Sequence, residues 1–203
     1  VISQVAETQP PEPQGPHLVA HPTASIAETA IIRGSGVVEV GAYAVVEDFV
    51  VIDLGGSGRG KLELAARSKL KIGVVIRNYN GSVRVGEHTT LGDYTVIHGH
   101  GGVDIGRDGG IAPHCSIAAS EHIWTSSEVP IRYQGETARG IRIGDDVWLG
   151  TGVRVLDGVA VGNGVVIGAG AVVNSDLPAM HICAGIPCRV IRPRPISVEE
   201  EKQ

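Results

Sequence analysis

The sequence predicts a parallel β-helix, a triangular prism built from six-residue units, and three observations carry that prediction. The first is spacing. Ile143, Leu149, Val155, Val161, Ile167 and Val173 stand six residues apart. Val85, Leu91, Ile97 and Val103 repeat the period, as do Ile26, Ile32 and Val38. Two-residue shifts then introduce Ile105, Ile111 and Ile117, and Val40, Val46 and Ile52. The second is composition. Aromatic residues make up 3% of the chain and Phe occurs once, too little for a sandwich or barrel core that leans on large side chains. The third is the 29 glycines, which lack the every-third spacing of collagen.

A period of six is neither helical nor simply alternating. It fits a short strand plus a tight corner, with the aliphatic residue pointing into the prism and Gly, Ala or Ser easing the turn. Three units make a coil of roughly 18 residues, and coils stack through parallel backbone hydrogen bonds. Two stretches leave the pattern: about 53–71, rich in Gly and charge, and about 118–142. Long excursions from a rigid solenoid are where specificity residues are expected. Residues 1–20 carry Pro10, Pro11, Pro13 and Pro16 and are expected to be a flexible arm. The prism is expected over 21–192 and a short tail over 193–203.

Net charge is −5, so no basic face for nucleic acid is expected. Cys115, Cys183 and Cys188 are odd in number and fit no zinc spacing, so reduced, packed thiols are expected. No apolar run reaches the length of a membrane span, and no signal-peptide pattern opens the chain, so a cytoplasmic location is expected. The absent initiator Met leaves room for a longer natural N-terminus. Gly55 to Lys61 imitates a P-loop, but Leu62 stands where the Mg²⁺-binding Ser or Thr belongs and no helix pattern follows, so a flexible loop is expected.

Three segments carry a resemblance. Ile141-Arg142-Ile143-Gly144-Asp145-Asp146-Val147-Trp148-Leu149-Gly150, the stretch from Val155 to Gly170, and Ala184-Gly185-Ile186-Pro187-Cys188-Arg189-Val190-Ile191-Arg192 resemble the hexapeptide-repeat acyltransferase family. The nearest branch is the sugar and polysaccharide O-acetyltransferases, related to the galactoside and maltose enzymes. The resemblance implies a left-handed prism, acetyl-coenzyme A as co-substrate without a metal, and a homotrimer with its sites between subunits.

It also implies roles. His122, in the excursion ahead of Trp148, stands where the family has its catalytic base. An imidazole with a pKa of about 6.5 can take the proton of a sugar hydroxyl as the oxygen attacks the thioester. A backbone N–H near Trp148 to Thr151 would meet the oxyanion. Glu121 would orient His122, with Asp93 and Glu128 as rival carboxylates. Trp148, Gly150, Thr151, Gly168 and Ala169 would line the pantetheine arm, and Arg189 and Arg192 would take the nucleotide phosphates. The chain has Asn174-Ser175 where many relatives have Thr-Lys, which places more of that task on the arginines. His100, Trp124, Tyr133 and Gln134 are candidates for the acceptor pocket. Rival functions are N-acetylation of a nucleotide-linked amino sugar, a binding solenoid without chemistry, and the zinc carbonic anhydrases that share the prism. The last would need three His ligands across coils, a spacing that His114 and His122 do not match.

Overall fold

A computed structural model describes residues 15–195. They form a three-sided parallel β-solenoid, with sheets of seven, nine and seven strands. Each coil supplies one short strand to each sheet in turn, so sheet 1 leads to sheet 2, sheet 2 to sheet 3, and sheet 3 back to sheet 1 of the next coil. Among the described residues the helical content is one 3-10 turn, Ile131–Tyr133. Among the described residues no helix is long and apolar enough to cross a membrane.

The six-residue runs map onto the prism axis. Ile143 and Val161 point inward from sheet 1, Leu149 and Ile167 from sheet 2, Val155 and Val173 from sheet 3, and all are buried. Stacked aliphatic side chains therefore fill the axis, and β-branched Val and Ile suit the pleated wall. Every Phe, Tyr and Trp of the sequence is exposed instead. Several, Tyr43, Phe49, Tyr79 and Tyr94, occupy left-handed corner positions with positive φ. The corners thus use more than the small residues expected from the sequence.

Coil length explains the two-residue shifts. Arg142 pairs with Ala160, eighteen positions on, but His17 pairs with Val37 and Val83 with Val103, twenty positions on. In the longer coils the two extra residues lie at the corner from sheet 3 to sheet 1: buried Ile97 and Ile105 are eight positions apart, whereas buried Val155 and Val161 are six apart.

Three expectations change. The segment 53–71 does not leave the prism: Gly60–Leu64 and Lys69–Leu70 are regular strands of sheets 1 and 2. Only residues 55–59 loop out. That loop is braced, with the Gly55 amide donating to Asp53 Oδ1 at 3.1 Å and the Ser57 amide to Asn80 Oδ1 at 3.0 Å. The arm expected over 1–20 gives way at His17–Ala20 to the first strand of sheet 1, paired with Val37–Val40; residues 1–14 lie outside the described residues. At the other end, Arg189–Pro193 folds back antiparallel on His181–Ala184 and closes sheet 2, which takes the expected tail's first residue, Pro193, into a strand; residues 196–203 also lie outside. Cys115, Cys183 and Cys188 are free and buried. Burial pushes all three thiols up in pKa.

The outer faces of the sheets differ. Sheet 1 carries Glu39, Lys61, Glu63, Arg84 and Asp104, linked by ion pairs such as Lys61–Glu39 at 3.1 Å and Arg84–Asp104 at 3.1 Å. Sheet 3 carries an in-register apolar column, Ile31, Val51, Val75 and Val96. Surface ion pairs contribute little stability each, so the axial aliphatic stack must supply most of it. Ile97→Ala, at a fully buried axial position, is expected to destabilise the fold by about 2–5 kcal/mol, read as a lowered denaturation midpoint.

Candidate functional site

The excursion leaves the prism after sheet 3 of the fifth coil and returns at Ile141. Its stem is a two-stranded antiparallel ribbon, in which Glu121 faces Thr137 and His122 faces Glu136. Directly opposed residues share one side of a ribbon, and adjacent residues take opposite sides. Glu136 is accordingly the carboxylate at His122, with Oε1 3.5 Å from Nε2. Glu121, the carboxylate expected to orient His122, lies on the other side of the ribbon. The pair stands open to solvent, with the His122 side chain 57% exposed.

Glu136 also faces a second imidazole. Its Oε2 is 3.9 Å from His100 Nε2, and His100 Nδ1 is 3.1 Å from Ser120 Oγ. Tyr79 stacks on His100, with ring centroids 3.8 Å apart. His98 sits beside both rings. Burial lowers the His98 pKa, and the nearby His100 and Arg77 lower it further, which favours a neutral ring. His100 is thus brought to the catalytic candidate. Tyr79, His98, Ser120 and Glu136 join it without having been singled out from the sequence. A signal existed for some of them: coils of twenty-one and twenty residues place 79, 100 and 120 above one another.

Asp157 anchors the returning end of the excursion. Its buried carboxylate accepts from Thr137 Oγ1 at 2.9 Å, from the Arg139 amide at 2.8 Å and from the Gly140 amide at 3.0 Å, and Arg139 Nε adds an ion pair at 3.3 Å. Burial alone would raise its pKa. The bonds from the Arg139 amide, the Thr137 hydroxyl, the Gly140 amide and the Arg139 side chain outweigh that and hold it below the ordinary carboxylate value.

The other excursion candidates separate. Gln134 donates to Ser126 O at 2.8 Å and Val129 O at 2.6 Å and accepts from the Ser126 amide at 3.0 Å. Its amide is spent bracing the loop, which argues against the pocket-wall role expected of it. Trp124 and Tyr133 are both well exposed, and Arg132 lies over the Tyr133 ring.

The donor candidates form one strip on sheet 2 and its corner with sheet 3. The Trp148 indole crosses Gly110 of the preceding coil, where a Cβ would meet Cε3 at 2.6 Å. Gly150 packs as tightly on Ala169, where a Cβ would meet the backbone nitrogen at 2.6 Å. Gly168 packs on Ala184, which faces Arg189 across the closing hairpin. Among the described residues the corner amides of Thr151 and Ala169 donate to no backbone acceptor, while the flanking Gly150, Gly152, Gly168 and Gly170 amides are all bonded. Arg189 and Arg192 are exposed, each with a guanidinium bond to a nearby backbone carbonyl. This strip lies at one edge of sheet 3 and His122 at the other, so one chain does not bring the two halves together.

A family model for bacterial transferase hexapeptide (six repeats) matches residues 140–175. Over 124 residues, 61% of the chain, the sequence is 36% identical to "Probable acetyltransferase Rv3034c" of Mycobacterium tuberculosis, of which the match covers 41%. Over 123 residues, 57% of the chain, it is 34% identical to galactoside O-acetyltransferase of Escherichia coli, of which the match covers 56%. The chain thus spans about half the length of these curated relatives. Among solved structures, a galactoside acetyltransferase in complex with coenzyme A aligns with a TM-score of 0.60 at 30% identity, covering 69% of this chain and 66% of that one.

Asp157 makes the excursion's order dependent on pH. Because its pKa is lowered on folding, its stabilisation is present above the ordinary carboxylate value and is lost as pH falls through the folded value. Asp157→Asn is expected to speed amide exchange across residues 121–139 at neutral pH while leaving the strands of the prism protected, measured by hydrogen–deuterium exchange.

Proposed function

We propose that this chain, a member of the hexapeptide-repeat acyltransferase family, transfers acetyl from acetyl-coenzyme A to a hydroxyl of a sugar or surface polysaccharide. The observation that carries the reading is the His122–Glu136 pair, held on the excursion's ribbon beside His100. With Nε2–H donated to Glu136, the Nδ1 lone pair is left for the acceptor proton. The acceptor oxygen attacks the thioester carbonyl as its proton passes to His122. The C–S bond then breaks, and the imidazolium returns the proton to the departing thiolate. Glu136 keeps the ring in one tautomer and offsets its charge, a positioning role. The open amide at Thr151 or Ala169 is the donor suited to the tetrahedral oxyanion.

Trp148, Gly150, Thr151, Gly168 and Ala169 form the strip along which the thin pantetheine arm would lie. Gly150 and Gly168 add no side chain to that strip. Arg189 and Arg192 flank that strip and would meet the phosphates. The coenzyme named with the galactoside acetyltransferase structure supports the same co-substrate here.

Both half-sites lie on the two edges of sheet 3, and sheet 3 has the apolar outer column. We therefore assign that face to contact between subunits, so that the strip of one chain meets His122 of the next. A closed ring of three gives three such sites. Light scattering is expected to return three times the chain mass; a monomer that turns over acetyl-coenzyme A would overturn the shared site.

His122→Ala is expected to lower kcat/KM on hydroxyl sugars by about 10²- to 10⁴-fold. Glu136→Gln should lower kcat by less, with partial recovery in Glu136→Asp. The measurement is release of free coenzyme A against a panel of hydroxyl and amino sugars, with the product located by NMR. An amine needs less help from a base, so near-normal turnover of an amino sugar by His122→Ala would favour N-acetylation instead.

A further inference from the structure

The corner between sheets 1 and 2 carries a column of side chains that the acetyl-transfer site does not use. Tyr43, Arg67, His88 and Asp108 follow one another there, one per coil, each in a left-handed conformation with φ between 56° and 58°. The Arg67, His88 and Asp108 amides donate to carbonyls of the coil before at 2.8, 3.1 and 2.8 Å, which fixes the backbone of the column. The side chains touch in turn. His88 Nδ1 is 3.3 Å from Asp108 Oδ1, and His88 Nε2 is 3.3 Å from Arg67 Nη1. An arginine can only donate, so Nε2 accepts and the ring proton sits on Nδ1, facing Asp108. The same guanidinium lies over the Tyr43 ring, 5.7 Å from its centroid. Arg67 is thus positioned by two neighbours that leave its charge in place. Beside the column, Lys69 and Thr90 stand in register on the outer face of sheet 2. Tyr43, Arg67, Lys69, His88 and Thr90 line an open recess of about 520 Å³. That lining contains no carboxylate, although the whole chain has a net charge of −5. Among the described residues neither Arg67 nor Lys69 has an ion pair, whereas Lys61 and Arg84 of sheet 1 are both paired.

We infer that this recess binds a phosphomonoester carried on a small polar body, of which a sugar phosphate is the simplest case. Such a group carries about −1.5 to −2 charges near neutral pH, which the two unpaired cations Arg67 and Lys69 together match. The guanidinium offers charge-assisted bonds to the phosphate oxygens, with one Nη already turned to His88, and the Lys69 ammonium and Thr90 hydroxyl stand beside it. No lining residue is aliphatic, so the body that fills the rest of the recess is polar, and the Tyr43 and Thr90 hydroxyls suit those of a sugar. The recess is separate from the strip assigned to acetyl-coenzyme A. Its residues belong to the second, third and fourth coils, at the corner of sheets 1 and 2. Thr151 and Ala169 lie in later coils at the corner of sheets 2 and 3, and Arg189 and Arg192 lie in the closing hairpin. The inference therefore goes beyond the acetyltransferase reading and does not depend on it.

The test is calorimetric titration of the whole chain with glucose 6-phosphate, glucose and inorganic phosphate, in the absence of acetyl-coenzyme A. Arg67→Asn suits the left-handed backbone and removes the guanidinium. Lys69→Gln removes the second charge at an exposed strand position. Wild type is expected to bind glucose 6-phosphate and not glucose, and each variant to weaken that binding about tenfold with an unchanged denaturation midpoint. Lys61→Gln, which removes a paired lysine of sheet 1, is expected to leave the binding as it is. No binding of glucose 6-phosphate by wild type, or equal binding by Arg67→Asn and Lys69→Gln, would overturn the site. Inorganic phosphate bound as tightly as glucose 6-phosphate would overturn the place given to the polar body. Titration with coenzyme A and with dephospho-coenzyme A checks the other source of a phosphomonoester. If Arg67→Asn weakened only the first, the recess would belong to the coenzyme, and the inference would be overturned.

Discussion

Parallel pairing of each strand with its equivalents one coil away is the constraint on which the rest of this structure depends. Once a coil is hydrogen-bonded above and below, every position has a fixed neighbour in the next coil. Ile97, for instance, lies between Ile76 and Ile117 across sheet 3. The axis must then be filled by side chains of one size class, which is why Val, Ile and Leu occupy it and every aromatic residue is outside. Corners also become columns. A residue two places beyond the end of a strand has equivalents two places beyond the end of every strand in that sheet.

The columns give the site its order. Tyr79, His100 and Ser120 owe their contacts to stacking of corners and not to closeness in sequence. The same ladder forbids much adjustment: a rung cannot move without its neighbours. The proposed chemistry, which needs a histidine and a carboxylate face to face, would therefore sit where the ladder is interrupted. The excursion provides a ribbon of opposite polarity, in which His122 and Glu136 can oppose each other directly. Asp157 then fastens that ribbon to the rigid frame at four donor atoms, two of them backbone amides.

What was legible in the sequence follows from this division. Residues inside the ladder announce themselves by period, and Ile143 through Val173 fall on the axis as the spacing requires. The segment 53–71 misled because its glycines and charges suggest a loop, while Leu62, Leu64 and Leu70 continue the inward pattern. The thirteen positions between His122 and Glu136 carry no period, and the pairing of those two residues depends on how the excursion folds back on itself. For the same reason Gln134 read as a polar pocket residue, although its amide is spent within the loop. Corner residues fall between these cases. Tyr79 could have been aligned with His100 by counting a coil of twenty-one instead of eighteen, but the count needs the register.

A rigid prism also limits what one chain can do alone. Its two candidate corners are the edges of a single sheet, and the width of that sheet is set by strands that cannot shorten without breaking the axial stack. Local rearrangement of the corners cannot bring the Thr151 strip to His122 on the same chain. Bending the excursion over sheet 3 would have to release Asp157 from its bonds to Thr137, Arg139 and Gly140, leaving a buried carboxylate unpaired. Joining two corners from different chains costs no such distortion, and it covers the apolar column Ile31, Val51, Val75 and Val96 in the same step. The feature that makes the fold stable is thus the feature that would make association the least costly way to complete the proposed site.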